Sequence, residues 1–408
     1  MNQKIYEDYA KLAVEIGINL QPGQDVLITA STRATNFVKE LVKVCYANKA
    51  HRVSIDWTNE EIERLHWLNQ DTETLSQVLP WQEAKALHKA ETLPCTIYVH
   101  DVDPEAYAGI DVQKMTEVRK AQYAITKKYS DMEENKKQWL IIALPAPNWA
   151  KRVFPEFSEE EAVEKLWKAL IKTMRLDAED PVKAWQDHID LLLRQTAALN
   201  SMNLDYLTFK SSNGTDLKLK LQPNHVWLSA RETTLKGIDF TANMPTEEVF
   251  TMPKRDGVDG VVVSTKPLSL NGQMVENFKI TFKNGKAVEA TAEKGLDVLE
   301  AMLDMDESSR HLGEVALVPY NSPINQTGIL FLNTLFDENA CCHLAFGRAF
   351  KNNIKNFENM TDEDFEAIEF NQSVNHVDFM IGSEDLDITG YDFDGKAYQI
   401  FKDGVWAF

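Results

Sequence analysis

Histidine and aspartate stand two residues apart in the segment HVDFMIG, at His376 and Asp378. If this segment is a β-strand, both side chains point to the same face, because successive residues of a strand alternate between faces. An imidazole beside a carboxylate suits Zn²⁺ or a similar divalent metal, and Asp378 could bridge two ions. A buried histidine that is hydrogen-bonded to an aspartate has the same spacing, so the pair alone does not establish a metal site.

A second histidine, His343, follows two adjacent cysteines in LFDENACCHLAFG. Neighbouring residues of an extended chain point to opposite faces, so Cys341 and Cys342 could hardly both join His343 on one ion. We therefore interpret the thiols as small apolar packing residues and His343 as a metal-ligand candidate. Asp337 and Glu338 could orient its imidazole as hydrogen-bond acceptors, although solvated acids in a turn would give the same pattern.

Three glutamates stand out because of their apolar surroundings. Glu247 and Glu248 lie in NMPTEEVFTMP, between a proline turn and a Val-Phe pair. Glu314 lies in HLGEVALVP, in a run that otherwise predicts a buried strand. A carboxylate in such surroundings must be paired, hydrogen-bonded or metal-bound. A helix cap or a salt bridge would satisfy each of these glutamates as well as a metal would.

Five of these residues form a coherent donor set of three carboxylates and two imidazoles: Glu248, Glu314, His343, His376 and Asp378. The set suits two divalent ions about 3.5–4 Å apart that share a carboxylate and activate a water molecule. A hydrolytic centre of this kind also needs a carboxylate as general base, and Glu247 or Glu314 could serve.

The composition limits the classes of partner. A net charge of −20 argues against nucleic acid, because phosphate binding relies on clustered Lys and Arg. The charge is compatible with cationic ligands such as peptide amino termini, although a solvated surface produces it equally well. The first residues lack the apolar core of a signal peptide, and no apolar run is long enough to predict a membrane span. Because the four cysteines form no disulfide framework, we expect a cytoplasmic protein with reduced thiols.

The chain is expected to form two domains, because 408 residues exceed the usual size of one hydrophobic core. Of the 17 glycines, only Gly17, Gly23 and Gly109 precede residue 201. In this first half, helical spacing alternates with apolar runs at 25–30, 53–57, 95–100 and 139–145. The alternation predicts an α/β domain with a mainly parallel sheet over residues 1–195.

The second half is rich in Asn-Gly and Asp-Gly turn dipeptides, which are typical of tight hairpins. It predicts a mixed α+β domain over residues 196–408 that carries the metal site. Two helices, over 158–174 and 181–200, are expected before it. Helices are also predicted at 292–304 and 361–368. Strands are predicted at 206–210, 216–221, 259–265, 275–282, 286–290, 313–318, 375–381 and 398–402.

Long segments of the chain resemble the M29 family of metallopeptidases, the aminopeptidase T, aminopeptidase S and PepS group. The resemblance runs almost end to end, through LQPGQDVLI, LPAPNWAKRVFP, NMPTEEVFTMP, DGVVVSTKPL, LGEVALVP, LFDENACCHLAFG and HVDFMIGSEDLDITG. The family pattern implies metal ligands at Glu248, Glu314, His343, His376 and Asp378. It further implies a dinuclear exopeptidase, usually a homodimer, that removes the amino-terminal residue of short peptides. Zinc or cobalt is the expected metal, with magnesium or manganese as alternatives.

One position departs from that pattern. The family commonly places a tyrosine beside the metals where HLAFGRAF ends in Phe350. If that phenol stabilises the tetrahedral intermediate, its loss could cost roughly 10²–10³ in rate, unless Tyr320 or Tyr391 replaces it. The alternative reading is therefore a metal-binding homologue with weak or no peptidase activity, acting as a peptide-binding or assembly protein. A third is a dinuclear hydrolase of a non-peptide amide or ester.

Overall fold

The computed structural model describes residues 3–101, 103–270 and 273–408. The chain divides into two compact units. The first comprises Met1–His188 with Arg231–Pro245, and the second comprises Ile189–Ala230 with Thr246–Phe408. A domain boundary between residues 195 and 196 stays a prediction.

Helices and strands of the described residues are numbered in chain order. The helices are α1 Gln3–Leu12, α2 Thr35–Ala47, α3 Glu60–Asn69, α4 Thr72–Ser76, α5 Pro80–Thr92, α6 Val112–Glu133, α7 Pro147–Val153, α8 Glu159–Thr173, α9 Pro181–Met202, α10 Leu296–Leu303, α11 Thr334–Asp337 and α12 Asp362–Ala367. The strands are β1 Asp25–Ser31, β2 Arg52–Thr58, β3 Cys95–His100, β4 Trp139–Ala143, β5 Leu204–Lys210, β6 Asp216–Leu221, β7 Glu232–Thr233, β8 Asp239–Phe240, β9 Val249–Thr251, β10 Pro253–Val263, β11 Leu268–Leu270, β12 Gln273–Val275, β13 Lys279–Lys283, β14 Lys286–Thr291, β15 Leu312–Leu317, β16 His343–Gly347, β17 His376–Met380, β18 Asp387–Asp392, β19 Ala397–Lys402 and β20 Val405–Trp406.

The first unit contains a four-stranded parallel sheet in the order β2-β1-β3-β4. Its strands coincide with the apolar runs of the sequence, so the predicted parallel α/β arrangement is confirmed. Side-chain hydrogen bonds mark where helices of this unit begin. For example, Ser158 and Glu161 form a reciprocal capping box at the start of α8, which satisfies backbone N–H groups that lack an intrahelical partner. None of the helices in the described part of the chain is long and apolar enough to cross a membrane.

The second unit is built on an eight-stranded antiparallel sheet in the order β14-β13-β10-β6-β5-β18-β19-β20. Exposed and buried residues alternate strictly along β6, as expected of a strand with one face in the core. The Asn284-Gly285 turn joins β13 to β14 with φ angles of 50° and 77°. A Cβ atom on Gly285 would lie 1.8 Å from the Arg255 carbonyl oxygen, so this turn requires glycine.

The strand predictions for this unit are mostly confirmed, with three kinds of error. The predicted strand 275–282 is wrong, because Asn277, at φ 50°, separates β12 from β13. The predicted helix over 292–304 begins only at Leu296, after Gly295 with φ 74°. Strands β9, β11, β16, β18 and β20 are absent from the prediction. The omission of β9 and β16 matters most, because both belong to the sheet that carries the candidate site.

That sheet has four antiparallel strands in the order β17-β16-β15-β9. All residues of β15 and β16 are buried. One face is apolar: the Phe346 ring stacks on Phe379, with centroids 4.9 Å apart, and on Phe282 of the eight-stranded sheet at 5.8 Å. Burial of this face against a second sheet fixes which residues face the opposite side.

Candidate metal centre

The polar face of the four-stranded sheet brings the predicted ligands together through strand register. Glu314 of β15 and Asp378 of β17 both pair with Ala345, which lies between them on β16. Directly paired residues share a face of a sheet, so the two carboxylates flank a single methyl group. His343 lies two residues before Ala345 and therefore points to the same face.

Small residues leave room for the polar side chains on this face. His376 pairs with Gly347, whose φ of 91° is in the left-handed region. A Cβ atom on Gly347 would lie 2.3 Å from Asn375 Oδ1. Glu248 comes from the chain immediately before β9, the edge strand whose Val249 pairs with Leu317. Four separate segments of the chain thus contribute to one cluster.

Two groups of ligand atoms share Glu314. The first contains Glu248, Glu314 and His343; the second contains Glu314, His376 and Asp378; and within each group the atoms lie within 4.8 Å of one another. His343 Nε2 is 3.2 Å from Glu248 Oε2 and 3.6 Å from Glu314 Oε1. His376 Nε2 is 3.6 Å from Glu314 Oε2 and 3.3 Å from Asp378 Oδ1. Each oxygen of Glu314 therefore faces a different imidazole.

Both imidazoles turn the same nitrogen towards the carboxylates. His376 Nδ1–H donates to the Arg348 carbonyl oxygen at 2.7 Å, and His343 Nδ1 lies 3.4 Å from the Cys341 carbonyl oxygen. A carbonyl oxygen can only accept, so Nδ1 carries the proton in each ring. Metal-binding histidines commonly have this arrangement, in which a backbone oxygen fixes the tautomer and leaves Nε2 as the ligand atom.

The charges of the cluster interact strongly with one another. Burial lowers the pKa of His343, but its hydrogen bonds with Glu248 and Glu314 outweigh burial and raise that pKa well above its ordinary value. Burial opposes the same rise in His376, whose pKa nevertheless reaches about 9 because of Asp378 and Glu314. Burial raises the pKa of Glu314 despite its bond to His343. The carboxylates thus require positive charge at Nε2 of both rings.

Divalent cations fit this requirement. A neutral Nε2 lone pair aimed at carboxylate oxygens is repulsive unless a proton or a metal ion lies between them. The donor set also combines nitrogen and oxygen ligands, as borderline divalent metals prefer. Bound metal would take the place of the shared protons, because metal binding displaces protons from its ligands.

Glu338 lies beside the two groups, in the short 3-10 helix Glu338–Ala340. Burial raises the pKa of Glu338 well above its ordinary value, and the nearby charges of Asp378 and Glu248 raise it further. Asn339, which is fully buried, donates to Glu338 Oε1 at 3.3 Å and accepts from the backbone N–H of Glu247 at 2.8 Å. Glu247 is buried but belongs to neither ligand group.

The chain as a whole matches the model of the thermophilic metalloprotease (M29) family over residues 2–406. The protein belongs to the M29 family. It is 43% identical over 401 residues to aminopeptidase AmpS of Bacillus subtilis and 39% identical over 408 residues to aminopeptidase 2 of Geobacillus stearothermophilus. The alignments cover 98% of each chain in the first case, and 100% of this chain and 98% of the relative in the second.

The same fold is found in a solved structure, wild-type AmpT from Thermus thermophilus. The two structures superpose with a TM-score of 0.91 at 37% sequence identity, covering 100% of each chain. The predicted family and the predicted mixed fold, with a parallel sheet and antiparallel sheets, are therefore confirmed.

Phe350 of this M29 protein packs against the cluster. Its ring centroid is 4.9 Å from that of His376 and 6.4 Å from that of Phe250. Of the two tyrosines considered as replacements for a hydroxyl at this position, Tyr391 is stacked on Tyr206 at 4.6 Å in the eight-stranded sheet. Tyr320 follows β15 and lines a cavity of the second unit. The ring next to His376 is thus apolar.

Two sequence-based expectations about the surroundings of His343 have different outcomes. Asp337 does not orient the imidazole: its carboxylate accepts from the backbone N–H groups of Phe331 at 2.8 Å and Asn333 at 3.0 Å. That expectation is wrong because both carboxylate oxygens of Asp337 are hydrogen-bonded to the backbone of the turn before α11. Burial raises the pKa of Asp337 to about 6. The thiols of Cys341 and Cys342 are free and buried, as expected of packing residues.

Proposed function

We propose that this M29 protein is an aminopeptidase with two divalent metal ions, one held by Glu248, Glu314 and His343 and the other by Glu314, His376 and Asp378. The observation that carries the proposal is the division of Glu314, whose two oxygens face two different imidazoles 3.6 Å away. A carboxylate in that position suits a bridging ligand between two ions. The sequence pattern allowed Asp378 to bridge two ions, whereas these distances favour Glu314.

The ligand atoms favour zinc or cobalt over magnesium or manganese, since imidazole nitrogen suits the former pair and oxygen-only sites suit the latter. When bound, the ions would polarise the scissile carbonyl and lower the pKa of a water molecule. The chain itself contributes the fixed, buried ligand frame. Because four of the five ligands lie on strands and Glu248 directly precedes one, the frame needs little reorganisation when substrate binds.

Glu338 is our candidate for proton transfer. Glu314 was considered for this role, but the proposed bridging position would commit both of its oxygens to metal ions. Glu338 lies beside the cluster, in the electrostatic influence of Glu248 and Asp378. We infer that it accepts a proton from the attacking water and passes it to the leaving amine nitrogen. Glu247, whose backbone is tied to the same asparagine, is the alternative.

The proposed substrates are short peptides with a free amino terminus. A cluster of carboxylates next to the reacting centre favours a cationic or metal-binding amine at the end of the substrate. The names of two relatives, aminopeptidase AmpS and aminopeptidase 2, agree with this choice. A homodimeric state and a cytoplasmic location, which the family resemblance and the composition suggested, stay proposals.

Phe350 motivates the second candidate, a metal-binding M29 homologue with weak or no peptidase activity that binds peptides or acts in an assembly. Its ring lies against His376 and has no hydroxyl to donate to a developing negative charge. Under this reading the metal ligands are intact but turnover is slow. A dinuclear hydrolase of non-peptide amides or esters is a further alternative that the same assays separate.

The test combines metal analysis with a matched pair of substrates. The purified protein is loaded with Zn²⁺ or Co²⁺, dialysed, and analysed for metal per chain. It is then assayed on a leucyl peptide with a free amino group and on the same peptide N-acetylated. We expect two ions per chain, release of leucine from the free peptide, and less than about one hundredth of that rate on the blocked one.

Three outcomes distinguish the candidates. Cleavage that persists unchanged after complete removal of metal contradicts the proposal. Two bound ions without measurable turnover favour the peptide-binding homologue. Equal hydrolysis of the free and the acetylated peptide excludes an aminopeptidase and favours a general amide hydrolase.

A further inference from the structure

A cavity of about 590 Å³ lies in the second unit, apart from the metal ligands. Among the described residues that line it, Lys266 is the only charged one, and Tyr320, Asn325, Pro267 and Ile329 are among the others. Binding sites for small ligands commonly have this size and this mixture of apolar walls and a few polar groups. The composition of the walls points to a ligand with a single negative charge.

The cavity is connected to the candidate metal centre by short backbone links. Thr265, next to Lys266, donates its N–H to the carbonyl oxygen of Met380 at 2.9 Å. Met380 pairs in turn with His343 on the adjacent strand. Ser322, next to the lining residue Asn321, donates its Oγ–H to the carbonyl oxygen of Ala340 at 2.8 Å, at the end of the 3-10 helix that begins with Glu338.

Lys266 is held in a position where an anion could bind it. In the described part of the chain its ammonium donates to the amide oxygen of Asn325, 2.9 Å away, rather than to a carboxylate. Asn325 is held in turn, because its amide nitrogen donates to the Tyr320 carbonyl oxygen at 2.7 Å. The ammonium lowers the pKa of Asp337, but that carboxylate already accepts two backbone N–H groups. The hydrogen bond of the Lys266 ammonium is therefore to a neutral amide, while the nearby Asp337 carboxylate is directed at backbone N–H groups.

We propose that Lys266 binds the carboxyl-terminal carboxylate of the peptide substrate, and so selects short peptides with a free acid end; this inference rests on the proposed aminopeptidase function. Adjacent strands lie about 4.8 Å apart, so the path from His343 through Met380 to Thr265 spans roughly 10 Å. An extended peptide covers about 3.3 Å per residue. A peptide of about three or four residues is therefore long enough to span this distance with its amino end at the metals.

The test uses the metal-loaded enzyme and the peptide leucyl-glycyl-glycine, as the free acid and as the carboxyl-terminal amide. For the wild-type protein we expect kcat/KM to be roughly 10- to 100-fold higher on the acid, the range expected of one charge-assisted hydrogen bond. Lys266→Met should abolish that preference through KM and leave hydrolysis of the amide unchanged. Lys266→Arg should retain most of it. Lys283→Met, an exposed lysine on β13, serves as the matched control.

Four results would overturn the inference. The first is equal hydrolysis of acid and amide by the wild-type protein, which leaves the aminopeptidase proposal standing. The second is an equal loss on both peptides in Lys266→Met, which would assign the lysine a structural role. The third is an unchanged acid preference in that variant. The fourth concerns the case in which neither peptide is hydrolysed, so that the proposed function fails. Calorimetric titration of both peptides into the metal-loaded protein then tests Lys266 separately, and equal affinities for acid and amide refute its role.

Discussion

Replacing Glu314 with glutamine should remove both metal ions, whereas replacing Glu248 should remove only one. Glutamine keeps the shape of the side chain and removes its charge. Glu314 Oε1 faces His343 and Oε2 faces His376, both at 3.6 Å. Glu248 belongs to the His343 group alone. Both variants therefore remove one carboxylate charge, in E314Q from a residue common to both ligand groups and in E248Q from a residue of one group only.

The expected magnitude follows from burial. Glu314 and Glu248 are 5% and 7% exposed, so solvent can replace little of the lost interaction. Removal of one partner from a buried charge interaction costs about 3–5 kcal/mol, which corresponds to a loss of affinity of roughly 150- to 4,000-fold. The metal affinity of E314Q should fall by that factor at both sites. E248Q should lose it at one site and leave the other within about threefold of the wild-type value.

The assay is metal content after equilibrium dialysis over a range of free Zn²⁺, together with calorimetric titration of the metal-free variants. Glu289→Gln, an exposed glutamate on β14, is the matched control and should bind as the wild type does. Far-ultraviolet circular dichroism checks that each variant is folded. If folded E314Q retains one ion at wild-type affinity, the shared-ligand reasoning is refuted, and Asp378 becomes the better bridging candidate.

Three further predictions concern other parts of the second unit. Phe350→Tyr should raise kcat by about 10²-fold if a hydroxyl next to the imidazole can reach the reacting group. Steady-state kinetics measure this, with the exposed Phe393→Tyr as the control variant. An unchanged kcat would remove the argument that Phe350 weakens the enzyme. Burial lowers the pKa of His225 to about 4, below the roughly 6.5 of an unfolded chain, so the unfolded state binds more protons and stability falls as pH drops from about 6.5 to 4. Urea titrations should show a loss of about 2 kcal/mol from pH 7 to 5 that is missing in His225→Phe; an identical pH dependence in the variant would contradict this. Ala345→Val should cost about 1–3 kcal/mol of stability by overpacking. It should also weaken metal binding, because the added methyl groups separate the carboxylates on either side. Thermal unfolding measures the stability and calorimetry the metal affinity, and undiminished binding would contradict the placement of Ala345 between Glu314 and Asp378.

Several local features of this protein follow from its sequence. Apolar runs of strand length, such as Cys95–His100, form the parallel strands of the first unit, because alternation and side-chain shape act over neighbouring residues. The placement of His376 and Asp378 on one face follows in the same way from the two-residue period of a strand. The types of the five candidate ligands are also explicit in the sequence, and the resemblance of whole segments identified the M29 family.

Other features depend on which segments become neighbours. Strands β9, β15, β16 and β17 are separated by long stretches of chain, and only their pairing places Glu314 and Asp378 on either side of Ala345. The shared position of Glu314 and the cavity at Lys266 arise from the same long-range contacts. So does the packing of Arg231–Pro245 with the first unit. The two-residue period of a strand determines the face on which each side chain lies. The register between distant strands is set by burial of the apolar face of the whole sheet. That burial exists only once the chain has folded.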